Sequence, residues 1–187
     1  LEKLVETSDE WILQRTGIRE RHIVEPGVGT SDIAREAAAE AIRRAGLTPA
    51  DIDLIIVGTV TPDMLFPSTA CLLQHKLGAT HAWGFDVSAA CSAFAYALTV
   101  GSQLIAAGSS KYALIVGADV MSSIIDYTDR TTCVLFGDGA GAVVLGPSSS
   151  PGLGVIDFAH EIDGSGGAAL CMPAGGSLRP ASHDTVD

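Results

Sequence analysis

The sequence has 187 residues, of which 47% are hydrophobic and 18% charged, with a net charge of −11 at pH 7. This composition is typical of a globular protein with a sizeable core and excludes a disordered chain. The negative charge argues against nucleic acid or an anionic membrane as the main partner, and no apolar run is long enough to span a bilayer.

Helices and strands are predicted to alternate over most of the chain. Apolar residues at helical spacing indicate helices, and short runs that are apolar throughout indicate buried strands. The predicted elements are, in chain order, a helix over 31–45, a strand over 54–57, a helix from Pro67 to Gly78, a strand over 82–87, a helix over 91–107 and a strand over 112–116. Strands separated by helices predict a mostly parallel sheet with helices on both faces, which is an α/β fold.

The pattern changes after residue 130. Residues 132–136 and 141–145 are apolar runs on either side of Gly137-Asp138-Gly139-Ala140, which together predict a hairpin. A further strand is predicted over 153–159. The glycines do not indicate a dinucleotide site, because a strand follows them where a phosphate-binding loop requires a helix.

Four cysteines occur in the chain, and none forms a C-x-x-C pair: Cys71, Cys91, Cys133 and Cys171. This spacing excludes the common zinc and thioredoxin patterns, so no metal site is predicted. No signal peptide is recognised, and we therefore expect free thiols in a reducing cytoplasm.

Cys91 lies where a predicted strand turns into a predicted helix. Unpaired N–H groups at a helix N-terminus carry partial positive charge, which favours the nucleophilic thiolate. Small residues surround Cys91 over 88–93 and leave room for a substrate, so the position suits a nucleophile that forms a thioester. The alternative is a cysteine that only fills the junction.

Trp11 and Arg15 are one helical turn apart near the start of the chain. A tryptophan and an arginine at this spacing can stack on a base and reach phosphates. A surface helix with a packed tryptophan and solvated arginines is the alternative.

Three stretches resemble the signature segments of β-ketoacyl-acyl carrier protein synthase III, a condensing enzyme of the thiolase superfamily. They are S-D-E-W-I-L-Q-R-T-G-I-R-E-R, D-V-S-A-A-C-S-A-F and F-G-D-G-A-G-A, in that family's order and spacing. The resemblance implies a thiolase-like layered αβαβα fold with a mixed, mostly parallel sheet. Residues 1–187 are expected to form about its first half, as an N-terminal half-domain without the first strand and the C-terminal half.

The resemblance also implies a reaction. An acyl-CoA, commonly acetyl-CoA, would be condensed with malonyl-acyl carrier protein to start fatty acid synthesis, and Cys91 would be the nucleophile. The coenzyme A thioester would be a substrate, no cofactor is expected, and the acyl carrier protein and a second copy in a homodimer are the expected partners. The implied binding residues are Trp11 and Arg130 on the adenine, Thr7 and Arg15 at the tunnel mouth, Phe66 reaching into the partner's acyl pocket, and Met121 and Phe136 lining that pocket.

Two departures from the family pattern leave alternatives open. The family's catalytic histidine and asparagine have no match in this sequence, and Thr131 follows Arg130 where some members have glycine. A related synthase that uses another acyl-CoA in a polyketide or quinolone pathway is one alternative. A non-catalytic half-length partner of a complete synthase is another.

Overall fold

The computed structural model describes residues 1–148, 150 and 152–186. The chain forms two compact units, Leu1–Val155 and Ile156–Asp187. None of the helices that the structure describes is long and apolar enough to cross a membrane.

The first unit is built around one mixed sheet of four strands. These are β1 (Leu54–Gly58), β2 (Trp83–Val87), β3 (Ala113–Val120) and β4 (Asp138–Leu145). Their order in the sheet is β2-β1-β3-β4. β1 pairs in parallel with both β2 and β3, whereas β4 runs antiparallel to β3. The two crossover connections require helices, as the alternation in the sequence predicts.

Helices cover both faces of this sheet. The helices of the described residues are α1 (Asp9–Thr16), α2 (Thr30–Arg44), α3 (Thr69–Leu77), α4 (Ala93–Ala106), α5 (Arg130–Cys133) and α6 (His183–Val186). α2 and α3 pack on one face of the sheet, and α4 packs on the other. The predicted α/β class with a mostly parallel, helix-covered sheet is confirmed.

Alternate residues of the central strands face opposite helix layers. Ile55 and Val57 of β1 pack toward α2 and α3, while Leu54 and Ile56 pack toward α4. All four side chains are completely buried. Each such burial contributes about 1.5–3 kcal/mol, so this double-sided burial explains why the strand is apolar at every position.

Helix ends follow local capping chemistry. Ser8 caps α1 and Ser68 caps α3, each accepting a hydrogen bond from a backbone N–H of the first turn. Gly17 and Gly78 end the same helices with φ values of 73° and 72°, a left-handed conformation that favours glycine. Because Ser68 provides the cap, α3 begins at Thr69 and not at Pro67 as predicted.

The predicted hairpin over 132–145 is wrong. β4 pairs with β3, while residues 130–133 form the short helix α5. The Asp129 carboxylate accepts a hydrogen bond from the Thr131 N–H at 2.9 Å and also binds the hydroxyl of Thr132. This capping stabilises a helical turn in a run whose apolar residues indicated a strand.

The strand predicted over 153–159 is also wrong, since none of these residues is in a strand. A strand exists through its hydrogen bonds to a neighbour, which alternating apolar residues alone do not supply. The second unit contains a 3₁₀ turn over Gly164–Gly166 and helix α6. Its large apolar residues are strongly exposed, for example Ile162 and Leu178.

Candidate active site

A cleft of about 370 Å³ lies at the carboxyl ends of β1 and β3. Its walls come from Gly58 at the end of β1, residues 117–119 near the end of β3, Met121, residues 137–141 at the start of β4, and the turn that carries Cys91. Ligands of open α/β sheets bind at this end of the strands. The cleft therefore brings the predicted nucleophile to the position where the fold places chemistry.

Cys91 is exposed and lies in a 3₁₀ turn, Ala90–Ser92, that leads directly into α4. The residue before it, Ala90, has φ = 45°, a left-handed conformation that is unusual for a residue with a Cβ atom. Such strain costs about 1–3 kcal/mol and is concentrated at functional sites. The sharp turn presents the thiol to the cleft at the N-terminal end of a helix.

Two glycines allow α4 to approach the sheet closely enough to place this turn. A Cβ atom on Gly58 would lie 2.9 Å from both the carbonyl carbon and the Cβ of Ala93. A Cβ atom on Gly117 would lie 3.2 Å from the ring of Phe94. The first residues of α4 therefore lie directly on the backbone of β1 and β3. Because Cys91 lies in the turn just before α4, this packing also determines the position of Cys91.

Two carboxylates hold the loops at this end of the sheet. Asp86 in β2 accepts hydrogen bonds from the N–H groups of Thr69 and Ala70 at 2.6 and 2.8 Å, which caps α3. Asp119 in β3 accepts four hydrogen bonds on one oxygen, from Thr59, Val60 and both the N–H and hydroxyl of Thr61. These bonds order the loop that follows β1.

A third carboxylate, Asp138, stands at the start of β4 and binds the turn after Met121. The roles of Asp86, Asp119 and Asp138 were not predicted from the sequence. The sequence signal for them is an aspartate within or next to an apolar strand run, because its carboxylate needs hydrogen-bond donors from neighbouring loops.

Trp11 and two arginines form a second cluster. The guanidinium carbon of Arg130 lies 4.3 Å from the centre of the Trp11 ring, and that of Arg15 lies 5.6 Å from it. Both are cation–π contacts. α5 begins at Arg130, so the Asp129 cap that forms this short helix also positions the arginine.

Thr7 lies next to the Ser8 cap of α1, and its buried hydroxyl has no hydrogen-bond partner among the residues that the structure describes. Phe66 is 83% exposed, beside the exposed residues Met64 and Leu65. Phe136 lines a different cavity, of about 680 Å³, together with Tyr127 and Cys133.

The structure thus brings Cys91 and Met121 to one cleft and groups Trp11, Arg15 and Arg130 in one cluster. Neither Phe66 nor Phe136 lines the Cys91 cleft. Among the described residues, no group of three or more histidine, cysteine or acidic side chains is arranged to hold a metal ion.

Comparison with known proteins identifies the family that the chain resembles. Residues 85–164 match the family model of 3-oxoacyl-[acyl-carrier-protein] synthase III. A β-ketoacyl-[acyl-carrier-protein] synthase III from Solibacter usitatus is 61% identical to the chain over 189 aligned residues. The alignment covers the whole chain and 57% of the length of that protein. Over its 187 residues, the chain is similar to proteins of the β-ketoacyl-acyl carrier protein synthase III family.

Solved structures of this synthase family share the fold. A β-ketoacyl-acyl carrier protein synthase III from Thermus thermophilus superimposes with a TM-score of 0.87 at 40% identity, covering 99% of this chain and 56% of that one. A priming β-ketosynthase of the R1128 polyketide pathway gives a TM-score of 0.77 at 42% identity, covering 80% of this chain and 45% of that one. The thiolase-like fold is confirmed. The chain spans about half the length of the curated synthase III relatives that it matches.

Proposed function

We propose that this chain carries the nucleophile of a condensing enzyme that starts fatty acid synthesis. The observation that carries the proposal is the exposed Cys91 thiol, in a cleft at the carboxyl ends of the strands and at the start of α4. The substrates are an acyl-CoA, with acetyl-CoA as the preferred primer, and malonyl-acyl carrier protein. The proposed location is the cytoplasm.

The first step is acyl transfer to Cys91. The thiolate attacks the thioester carbonyl of the acyl-CoA, a new sulfur–acyl bond forms, and coenzyme A leaves as the thiol after taking up a proton. The backbone N–H of Cys91 is proposed as one donor to the oxyanion that develops on the carbonyl oxygen. The orientation of this N–H follows from the turn that Ala90 begins.

The second step forms the carbon–carbon bond. Malonyl-acyl carrier protein loses carbon dioxide, and the carbanion that remains attacks the Cys91 thioester. The products are 3-ketoacyl-acyl carrier protein and the free thiolate, so the atoms and charges balance. The family's histidine and asparagine that assist decarboxylation have no counterpart among these 187 residues.

The adenine of coenzyme A is proposed to enter between Trp11 and Arg130. Arg130 now lies 4.3 Å from the Trp11 ring centre. A base stacked between two planes needs about 7 Å between them, since each contact spans about 3.5 Å. Binding must therefore move the Arg130 guanidinium away from the indole, and the base replaces it as the partner of Trp11. Arg15 and Thr7 are proposed to lie at the tunnel mouth.

The exposed Phe66 is proposed to reach a second copy of the chain in a homodimer. It belongs to a run of three exposed apolar residues, Met64, Leu65 and Phe66. Large apolar side chains in a contiguous exposed patch are typical of protein–protein contacts. Met121, which lines the Cys91 cleft, is proposed to line the acyl pocket.

Mass spectrometry tests the proposed function directly. The protein in its natural full length is incubated with acetyl-CoA, and its intact mass is measured before and after. One acetyl group is expected to be added, and malonyl-acyl carrier protein is then expected to remove it as a 3-ketoacyl product. A full-length protein that takes up no acyl group from any acyl-CoA would contradict the proposal.

Replacement of Trp11 by alanine is expected to raise the KM for acetyl-CoA by about tenfold and leave kcat nearly unchanged. The indole contributes stacking energy of about 1–3 kcal/mol to binding, and it touches no reacting atom. Steady-state kinetics with acetyl-CoA measures this effect, and Trp11→Phe is expected to recover much of the lost affinity.

Acetyl-pantetheine provides the matched control for the Trp11 prediction because it carries the same thioester without the adenine. Its KM is expected to be equal in the parent and Trp11→Ala proteins. An equal rise in KM for both thioesters would contradict adenine stacking. It would indicate that Trp11 stabilises the structure of α1 and does not bind the base.

A different acyl primer is the second candidate function. The observation that favours it is the similarity to a priming ketosynthase of a polyketide pathway, at 42% identity. The rates of acyl transfer from a series of acyl-CoA thioesters distinguish the two, since the first proposal expects acetyl-CoA to react faster than longer primers.

A further inference from the structure

Asp138 joins three segments of the chain at the wall of the Cys91 cleft. Its Oδ1 accepts a hydrogen bond from the N–H of Ser122 at 2.8 Å, and its Oδ2 accepts one from the Ser122 hydroxyl at 2.6 Å. Oδ2 also accepts the backbone N–H of Val24 at 2.9 Å. The backbone N–H of Asp138 donates to the carbonyl of His22 at 2.8 Å.

The turn that Asp138 holds is the one that carries Met121. The 3₁₀ turn Met121–Ser123 follows directly on β3, and Asp138 is the register partner of Val120, the last residue of that strand. Both Met121 and Asp138 line the cleft that contains Cys91. The position of the Met121 side chain relative to the thiol therefore depends on the two bonds between Asp138 and Ser122.

Charge and packing both support this role. Burial alone would raise the pKa of Asp138, but hydrogen bonds from Ser122 and Val24 outweigh it and hold the pKa below its ordinary value. An ionised carboxylate that accepts backbone N–H groups forms stronger hydrogen bonds than a neutral acceptor. A Cβ atom on Gly137 would lie 3.2 Å from the His22 carbonyl oxygen, so the 22–24 segment is packed closely against this corner.

We propose that Asp138 is a positioning residue that fixes the Met121 wall of the cleft and thereby sets the length of acyl group that Cys91 accepts. This inference rests on the proposed function, because it concerns the primer of the same thiol. The carboxylate acts through Ser122 and Met121 and takes no part in the chemistry.

Asparagine cannot reproduce the three bonds. An amide has one acceptor oxygen and one NH₂ donor. If the NH₂ group replaces Oδ2, it faces the Val24 N–H, and if it replaces Oδ1, it faces the Ser122 N–H. The Ser122 hydroxyl can rotate to accept, but a backbone N–H cannot. In either orientation, Asp138→Asn therefore places its NH₂ donor opposite a backbone N–H donor. The bond to the Ser122 N–H or the bond to the Val24 N–H is lost, and that segment is released.

The test compares acyl-CoA primers of increasing chain length with the full-length protein and its Asp138→Asn variant. The ratio of kcat/KM for butyryl-CoA to that for acetyl-CoA is expected to change by about fivefold or more, because pocket walls discriminate single methylenes by about tenfold or more. Ser122→Ala removes only the hydroxyl donor and is expected to shift the ratio in the same direction by less. If Asp138→Asn fails to fold, the primer ratio of Ser122→Ala still tests the inference.

Asp51→Asn is the matched control. The Asp51 carboxylate accepts two hydrogen bonds from Thr48, at 2.8 Å from its N–H and 2.7 Å from its hydroxyl, and it does not line the cleft. Its primer ratio is expected to equal that of the parent, even if its melting temperature falls.

Each outcome has one meaning. A changed primer ratio in Asp138→Asn or Ser122→Ala, with the Asp51→Asn ratio unchanged, supports the inference. A parent that is acylated normally, with equal losses for every primer in both variants, overturns it and leaves the proposed function intact. A parent that accepts no acyl group from any primer overturns the proposed function, and this inference with it.

Discussion

Replacement of Cys91 by serine is expected to abolish acyl-enzyme formation and to lower the rate of condensation by about 10³-fold or more. A hydroxyl is a far weaker nucleophile than a thiolate at neutral pH, because it stays protonated there. Intact mass spectrometry after incubation of the full-length protein with acetyl-CoA is expected to show one acetyl group on the parent and none on the variant.

Cys71 offers a matched control for this experiment. It is also an exposed cysteine near the N-terminus of a helix, with its backbone N–H bonded to the capping Ser68 hydroxyl at 3.2 Å. It does not line the Cys91 cleft. Cys71→Ser is expected to take up one acetyl group at the parental rate. Loss of acylation in Cys71→Ser, with acylation retained in Cys91→Ser, would assign the nucleophile to Cys71.

Gly58→Ala is expected to destabilise the protein by about 1–3 kcal/mol and to lower the rate of Cys91 acylation by about 10²-fold. The new methyl would lie 2.9 Å from the Ala93 carbonyl carbon and 3.0 Å from the Phe94 nitrogen, both of which are backbone atoms. Backbone cannot rotate away as a side chain can, so the start of α4 must shift. Cys91 precedes α4 by one turn residue and must move with it.

Chemical denaturation measures the stability change, and single-turnover acetylation measures the rate. Gly141→Ala is the control for stability, because its added Cβ would have no atom of the described residues within 4 Å. An unfolding midpoint for Gly58→Ala equal to that of Gly141→Ala would contradict the close packing of α4 on β1. A full acylation rate in Gly58→Ala would show that the thiol does not depend on this packing.

Local sequence rules predicted most of the helices and parallel strands. Helix α2 was predicted over 31–45 and spans Thr30–Arg44, and β1 was predicted over 54–57 and spans Leu54–Gly58. These predictions succeeded because helical periodicity, capping residues and apolar runs act within a few residues of the chain. The strand-to-helix junction at Cys91 was found for the same reason.

The errors came from pairings between distant segments. The apolar run 132–136 was predicted as one half of a hairpin, but β4 instead pairs with β3. Residue types that favour strands do not determine which other strand they pair with, because the pairing depends on the register of the whole sheet. In this case the Asp129 cap formed a helical turn in the competing segment.

The sequence by itself determined the α/β class, the junction that carries Cys91 and, through resemblance, the set of residues proposed to bind the substrate. Only the tertiary structure decided that Arg130 rests on Trp11, that Phe136 lines a cavity other than the Cys91 cleft, and that Asp138 fastens the Met121 turn. The Asp138–Val24 bond joins residues 114 positions apart. Contacts of this kind arise from chain packing, because the local sequence sets where elements form and not which of them meet.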